Sequence, residues 1–158
     1  MKNDCIFDEL EMLNLFKKTI KEAFEKDDNF EEDYWYNLFG QREMTIYDSY
    51  TVSKPTFPCC VITLSATPTI RNIHSSQIEQ FSTVIARIEH YNQSVGDNNR
   101  ETIGIKINQR IKYILQKTFG VLISNNTSLS SPDSSIYRRL IEARFVYDNI
   151  NKVFYREQ

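Results

Sequence analysis

Residues 135–147 read SIYRRLIEARFVY, residues 148–152 read DNINK, and residues 153–156 read VFYR. Along the first piece, apolar or aromatic side chains alternate with polar ones, which is typical of a β-strand with one buried face. The second piece is rich in Asp and Asn and predicts a turn, and the third predicts a short returning strand. This hairpin fixes a sheet edge and a register in a fold that is otherwise ambiguous.

Two longer segments carry the periodicity of amphipathic helices. Residues 8–26 place apolar side chains at helical spacing behind Asp8, a candidate N-cap. Residues 100–119 do the same ahead of Gly120, which stands where a left-handed C-terminal cap is expected. A short aromatic piece at residues 34–39 ends at a glycine and predicts a helical turn that docks on the core.

The remaining segments predict strands and loops. Strand patterns occupy residues 44–52, 59–64, 81–91 and 121–123, and polar stretches at 66–80 and 124–134 predict long exposed loops. Short turns between successive strands favour antiparallel pairing, and helices that cover one face favour two layers. We expect one α+β domain over residues 1–158, made of a helical N-terminal part (1–54) and a core (55–158). Its sheet is mostly antiparallel, with about four to five strands and helices packed on one face.

Charge is nearly balanced overall but unevenly distributed. The chain of 158 residues carries 19 basic and 21 acidic side chains, a net charge of −2, which argues against nucleic acid as a default partner. Residues 1–43 carry twelve acidic and six basic side chains, whereas residues 100–158 carry five acidic and ten basic ones. Such polarity suits head-to-tail contact between copies, with two independently solvated surfaces as the alternative.

Residues that could support catalysis or metal binding are few and scattered. Cys5, Cys59 and Cys60 form no disulfide pattern, and their odd number suits a reducing compartment. His74 falls in a loop and His90 on a strand, and the spacings of metal motifs are absent from the sequence. A vicinal cysteine beside His90 is the one nucleophile pair that strand geometry allows, but no glycine-rich elbow or helix start adjoins it to lower a thiol pKa. We therefore predict no catalytic, cofactor or metal residues, and no segment long enough to span a membrane.

Nucleic acid remains an alternative partner because aromatic and basic side chains interleave on the predicted hairpin. Single-strand binders combine the two on antiparallel strands. Parity opposes this interpretation, since Tyr137 and Tyr147 share a face with Phe145, whereas Arg138 and Arg144 lie on the other. The tyrosine face therefore predicts core, and the arginine face is mixed.

The order of short motifs over residues 55–158 resembles that of small tail terminator or tail-completion proteins of tailed bacteriophages. An aromatic–proline entry, Phe57-Pro58, leads into an apolar strand. After a polar loop, a second strand ends in Ile88-Glu89-His90-Tyr91-Asn92, and an amphipathic helix follows. The final hairpin begins Ile136-Tyr137-Arg138 and closes with Tyr155-Arg156. The family usually has Tyr where Phe57 stands here.

The resemblance implies an α+β subunit that forms a homo-oligomeric ring, commonly a hexamer. Such a ring caps the tail tube, stops its growth and joins it to the head-completion proteins of the neck. DNA passes through the lumen without specific recognition, and the protein does no chemistry and needs no cofactor. The expected location is the virion tail or neck, and the host cytoplasm before assembly. A head-closure protein or another neck connector is the nearest alternative.

Candidate interface residues follow from the polar loops and the hairpin. The loop at 66–80 contributes Arg71, Asn72 and His74, and the hairpin contributes Arg138, Arg139, Asp148, Asn149 and Lys152. Exposed polar loops and turns reach neighbours more readily than paired strands do. We expect these side chains to face neighbouring subunits or tail and neck proteins.

Overall fold

A six-stranded sheet with helices on one side forms the fold. The computed structural model describes residues 7–25, 27–48, 55–68, 81–129 and 133–156. The helices are α1 (Glu9–Lys21), α2 (Tyr34–Phe39) and α3 (Arg100–Phe119), with a 3-10 turn at Glu22–Phe24. The strands are β1 (Thr45–Tyr47), β2 (Cys59–Pro68), β3 (Phe81–Asn92), β4 (Leu122–Leu129), β5 (Tyr137–Asp148) and β6 (Val153–Arg156). The predicted α+β class is confirmed, with six strands in these ranges rather than four to five.

The sheet is antiparallel except at one edge. Its order is β1-β2-β3-β5-β4, and among the described strands only the short β1 pairs parallel to its neighbour, β2. The central strands β3 and β5 pair over twelve residues, from Phe81 opposite Asp148 to Asn92 opposite Tyr137. The other edge of β5 pairs with β4 along residues 138–144 and with β6 along residues 145–148. The predicted hairpin is thus confirmed, and its long strand lies inside the sheet rather than at an edge.

Strand β4 extends into a stretch that was predicted to be loop. Residues 124–129 pair with β5 after an irregularity between Ile123 and Asn125. The prediction was wrong because Ser, Asn and Thr give little pattern of their own, while main-chain pairing with β5 decides the conformation. Strand β2 likewise continues to Pro68, past the predicted loop start at residue 66. Residues 69–80 of that loop lie outside the described ranges.

Both long helices begin at side-chain caps. Asp8 accepts a hydrogen bond from the backbone N–H of Glu11 (3.0 Å), and Asn99 accepts one from Glu101 (2.7 Å). Helix α3 ends at Gly120, whose φ of 64° is the left-handed conformation predicted for it. Helix α1 was predicted to reach residue 26, but it ends at Lys21 because the chain tightens into the 3-10 turn.

The core lies between the helices and one face of the sheet. Alternate residues of the central strands are buried there: Val84, Ala86 and Ile88 from β3, and Ile141, Ala143 and Phe145 from β5. Phe16 of α1 stacks on Phe119 of α3, with ring centroids 4.5 Å apart, and on Phe145 at 5.9 Å. Each buried aromatic ring contributes about 2–3 kcal/mol. The stack joins both helices to the sheet and confirms the predicted core face.

Candidate interaction surface

The outer face of the sheet is the face opposite the helices. Within the described ranges, α1 and α3 contact the sheet through the buried residues of the core face. The outer face instead presents exposed Thr63, Arg87 and Arg144, with half-buried Ile85 and Val146 between them. Sheet faces are normally covered on at least one side, and an antiparallel sheet can leave the other side to solvent or to a partner.

An ion-pair network crosses the centre of the outer face. Glu89 accepts hydrogen bonds from Arg138 Nη2 (2.8 Å) and from the Tyr91 hydroxyl (2.6 Å). Burial by itself raises the pKa of Glu89, but these two hydrogen bonds and the charges of Arg138 and Arg87 together lower the pKa below its usual value. Further along the same two strands, Arg87 Nε of β3 lies 3.2 Å from a carboxylate oxygen of Glu142 on β5. Arg138, a predicted interface residue, is therefore engaged by a carboxylate of its own chain.

Arg139 lies on the other face, at the end of a polar chain that runs into the core. Its Nε is 3.1 Å from Oδ1 of Asn126, which also accepts from Nδ2 of Asn108 at 2.8 Å. Because a guanidinium can only donate, Asn126 must present its oxygen and Asn108 its amide nitrogen. The Asn108 oxygen then accepts from His90 Nε2, 2.9 Å away. Arg139 thus sets the tautomer of a buried histidine through two asparagines.

His90 and its neighbouring cysteine are buried and held in their neutral forms. Burial lowers the pKa of His90 to about 4, although the Asn108 hydrogen bond opposes this. Within the described ranges, His90 Nδ1 has no hydrogen-bond partner. Cys60 lies directly opposite His90 on β2, and burial raises the pKa of both cysteine thiols, that of Cys59 to about 12. Cys60 and His90 are thus cross-strand neighbours, as strand geometry allows, but neither ring nitrogen bonds the thiol and the buried environment opposes a thiolate–imidazolium pair.

The turn between β5 and β6 is built by two of the predicted interface residues. The Asp148 carboxylate accepts from the backbone N–H of Ile150 and of Asn151, both at 2.9 Å, and from the Asn151 side chain at 2.8 Å. Asn149 is fully buried and donates to Ser82 Oγ at 3.0 Å. Asp148 and Asn149 therefore shape the turn inside one chain, whereas Lys152 is exposed at its end.

Exposed apolar and cationic side chains gather around this turn. Ile150 and Tyr155 are each 47% exposed, and Val153 is also exposed. Tyr155 pairs with Val146 on the outer face, one step along that face from Arg144. We call the set Arg144, Ile150, Lys152, Val153 and Tyr155 the hairpin tip.

An acidic groove lies beyond the C-terminal end of α1. Its volume is about 600 Å³, and its lining residues are Phe24, Glu25, Asp27, Asp28, Phe30, Glu31, Glu32, Asp33, Tyr34, Trp35 and Arg42. The Phe30 and Tyr34 rings stack at 4.1 Å, and the Trp35 indole donates to Asp27 at 3.1 Å. Six carboxylates against one guanidinium give the lining a strong negative charge.

The groove is the feature that sequence reasoning missed. In the sequence, the acidic residues Asp27-Asp28 and Glu31-Glu32-Asp33 stand between two predicted helices, and their pattern alone predicts only a solvated surface. In the structure, Arg110 of α3 binds back to this segment, with its Nε 2.8 Å from the Ala23 carbonyl and 3.6 Å from Asp27. The aromatic residues between the acids were a sign that this segment packs against the rest of the protein. The contact with Arg110 could not be predicted, because Arg110 is distant in the sequence.

The remaining expectations concern three loop residues, metal binding and membrane-spanning helices. Arg71, Asn72 and His74 lie outside the described residues. Within the described part of the chain, no three His, Cys, Asp or Glu side chains converge as metal ligands would. None of the described helices combines the length and apolar character needed to cross a membrane. No protein-family model matches the sequence, and no curated protein matches it.

Proposed function

We propose that the protein is a structural assembly subunit of the tail-terminator type, which forms a homo-oligomeric ring that caps a phage tail tube. The outer face of the sheet is the observation that carries the proposal. Ile85 and Val146 are only half-buried there, beside a centre of balanced charge. A broad surface of mixed apolar and paired charged groups resembles a protein–protein interface more than a ligand pocket. The order of sequence motifs supports the same class.

The charges of the outer face favour a protein partner over a nucleic acid. Glu89 and Glu142 lie against Arg138 and Arg87, so the carboxylates offset the cations that would otherwise bind phosphate. Tyr91 is buried, and the Arg138 guanidinium lies over its ring, 5.8 Å from the ring centroid. The ring therefore offers no surface on which a base could stack. Fluorescence anisotropy with single-stranded oligonucleotides at low salt separates the two classes, and tight binding there would favour the nucleic-acid alternative.

Ring formation is tested by size-exclusion chromatography with light scattering, followed by negative-stain electron microscopy. We expect a closed oligomer of several subunits that binds the ends of purified tail tubes. A protein that stays monomeric at all concentrations and does not bind tube ends would refute the proposal. Binding to head-completion proteins without binding to tubes would favour the neck-connector alternative.

A matched pair of variants locates the assembly surface. Ile85→Arg introduces a charge on the outer face, whereas Gln116→Arg introduces the same charge at an exposed position of α3. An added charge in a desolvated interface costs several kcal/mol, while a rim or solvent position costs little. We expect Ile85→Arg to abolish oligomers and Gln116→Arg to leave them unchanged.

A further inference from the structure

The hairpin tip is a rigid projection. The three hydrogen bonds to Asp148 and the Asn149–Ser82 bond fix the turn from inside. Four of its exposed side chains are apolar or cationic, namely Ile150, Lys152, Val153 and Tyr155, while the exposed Asn151 donates back to Asp148. A preorganised surface loses little conformational entropy on binding, and Tyr and Arg, which the tip presents in Tyr155 and Arg144, are typical of interface hot spots.

Lys152 has a backbone conformation that glycine adopts more easily than lysine does. Its φ is 56°, in the left-handed region, and its N–H donates to the Asp148 carbonyl at 2.8 Å. Glycine adopts this conformation without a steric penalty, whereas a lysine is strained there. A strained residue at an exposed tip suggests that its side chain has a role beyond the fold.

The acidic groove complements this tip in charge and in surface type. Its rim carries the exposed carboxylates Glu25, Asp28, Glu31 and Glu32, and its wall carries the stacked rings of Phe30 and Tyr34. Carboxylates attract a lysine ammonium, and aromatic rings accept both apolar side chains and cations. The tip offers the ammonium of Lys152 at the end of the turn, the guanidinium of Arg144 and three exposed apolar side chains.

A tip cannot reach the groove of its own chain. Phe7, just before α1, contacts the Tyr147 ring next to the turn, with centroids 6.0 Å apart. The groove begins at Phe24, after the other end of α1. The thirteen residues of α1 span about 20 Å, so the two surfaces lie at opposite ends of the helix. Any contact between them must join two molecules.

We propose that the hairpin tip of one copy docks into the acidic groove of the next copy, with Lys152 as the central cation. The inference rests on the proposed homo-oligomeric function and specifies one of its contacts. Because the two docking surfaces differ and lie at opposite ends of α1, the contact can repeat from copy to copy and so produce rings or filaments. The uneven distribution of charge along the sequence then has a structural purpose.

Substitution of Lys152 separates this role from folding. Lys152→Gly removes the cation and relieves the backbone strain, so we expect the melting temperature to rise by a few degrees while association weakens at least about tenfold. A melting temperature that rises with unchanged association would overturn the proposal. Lys18→Glu, on the exposed side of α1, is the control for a general effect of net charge and should leave association unchanged.

Charge exchange tests the pairing directly. Lys152→Glu and Glu31→Lys should each weaken association of the full-length protein, measured by sedimentation velocity, and an equimolar mixture of the two variants should form mixed oligomers more readily than either alone. Raising NaCl from about 0.1 M to about 1 M shortens the screening length from about 10 Å to about 3 Å and should weaken wild-type assembly. If wild-type rings form but none of these changes affects them, the tip–groove contact is wrong and the ring proposal stands. If the wild type is monomeric throughout, both fail.

Discussion

Acid should destabilise the protein through His90 in a pH window that other groups affect little. The side chain is fully buried, and burial lowers its pKa from 6.5 to about 4. Above pH 6.5 the imidazole is neutral in both folded and unfolded chains and contributes no pH dependence. Between pH 6.5 and 4 the unfolded chain binds the proton and the folded one does not, so the free energy of unfolding falls as the pH falls.

The magnitude follows from the size of the shift. A change of one pKa unit corresponds to about 1.4 kcal/mol, so lowering the pH from 7.5 to about 4 should remove about 3 kcal/mol. This is a large part of the 5–15 kcal/mol that is typical of a domain. Glu89 has a lowered pKa, and its contribution is lost at more acidic pH, below the usual value of 4.5.

Urea unfolding at a series of pH values measures the effect. The single tryptophan, Trp35, is buried among aromatic rings and reports unfolding by its fluorescence. In His90→Gln the amide nitrogen can replace Nε2 as donor to Asn108 without titrating. This variant should be less stable at neutral pH but lose most of the slope between pH 6.5 and 4. His74→Gln is the control for the other histidine, and a slope that disappears there while persisting in His90→Gln would refute the reasoning.

Three further predictions concern packing, reactivity and the turn. Gly104→Ala should lower the free energy of unfolding by about 1–3 kcal/mol, measured by urea titration, because its Cβ would lie 2.1 Å from Tyr137 Cδ1. This cost should exceed the gain from the higher helix propensity of alanine. Equal or greater stability would show that the Tyr137 ring moves freely. Cys59 and Cys60 should react slowly with iodoacetamide at pH 7, since both are buried with raised pKa values; rapid labelling of the native protein, followed by mass spectrometry, would contradict this. Asp148→Ala should cost about 1–3 kcal/mol by leaving turn N–H groups unpaired, and hydrogen exchange at the turn should rise with it; unchanged exchange would mean that the cap is dispensable.

Periodicity predicted the elements whose own residues determine them. Helix α3 carries a full apolar stripe and a glycine cap, and β5 alternates over much of its length, so each could be identified without its neighbours. The polar part of β4, residues 124–129, could not, because its strand state depends on pairing with β5. The parallel pairing of β1 with β2 likewise leaves no local signal.

The candidate surfaces were predictable only in part. The hairpin turn was identified as a feature that could contact a neighbour, but burial of Asp148 and Asn149 depends on Ser82 and on the turn geometry. Arg138 looked free in the sequence because its partner, Glu89, is on another strand. Contacts of this kind join residues far apart in the chain, and single-sequence patterns do not contain them.

The central pairing of β3 with β5 has a consequence for protein synthesis. Residues 93–136 separate the two strands, so a ribosome adding 5–20 residues per second needs roughly two to nine seconds to pass from one to the other. During that interval α3 can cover the apolar face of β3, but the edge that β5 will occupy has no partner. In that interval the charged side chains of Arg87 and Glu89 on β3 disfavour pairing of this edge with another nascent chain. The same two residues later become partners of β5, through Glu142 and Arg138.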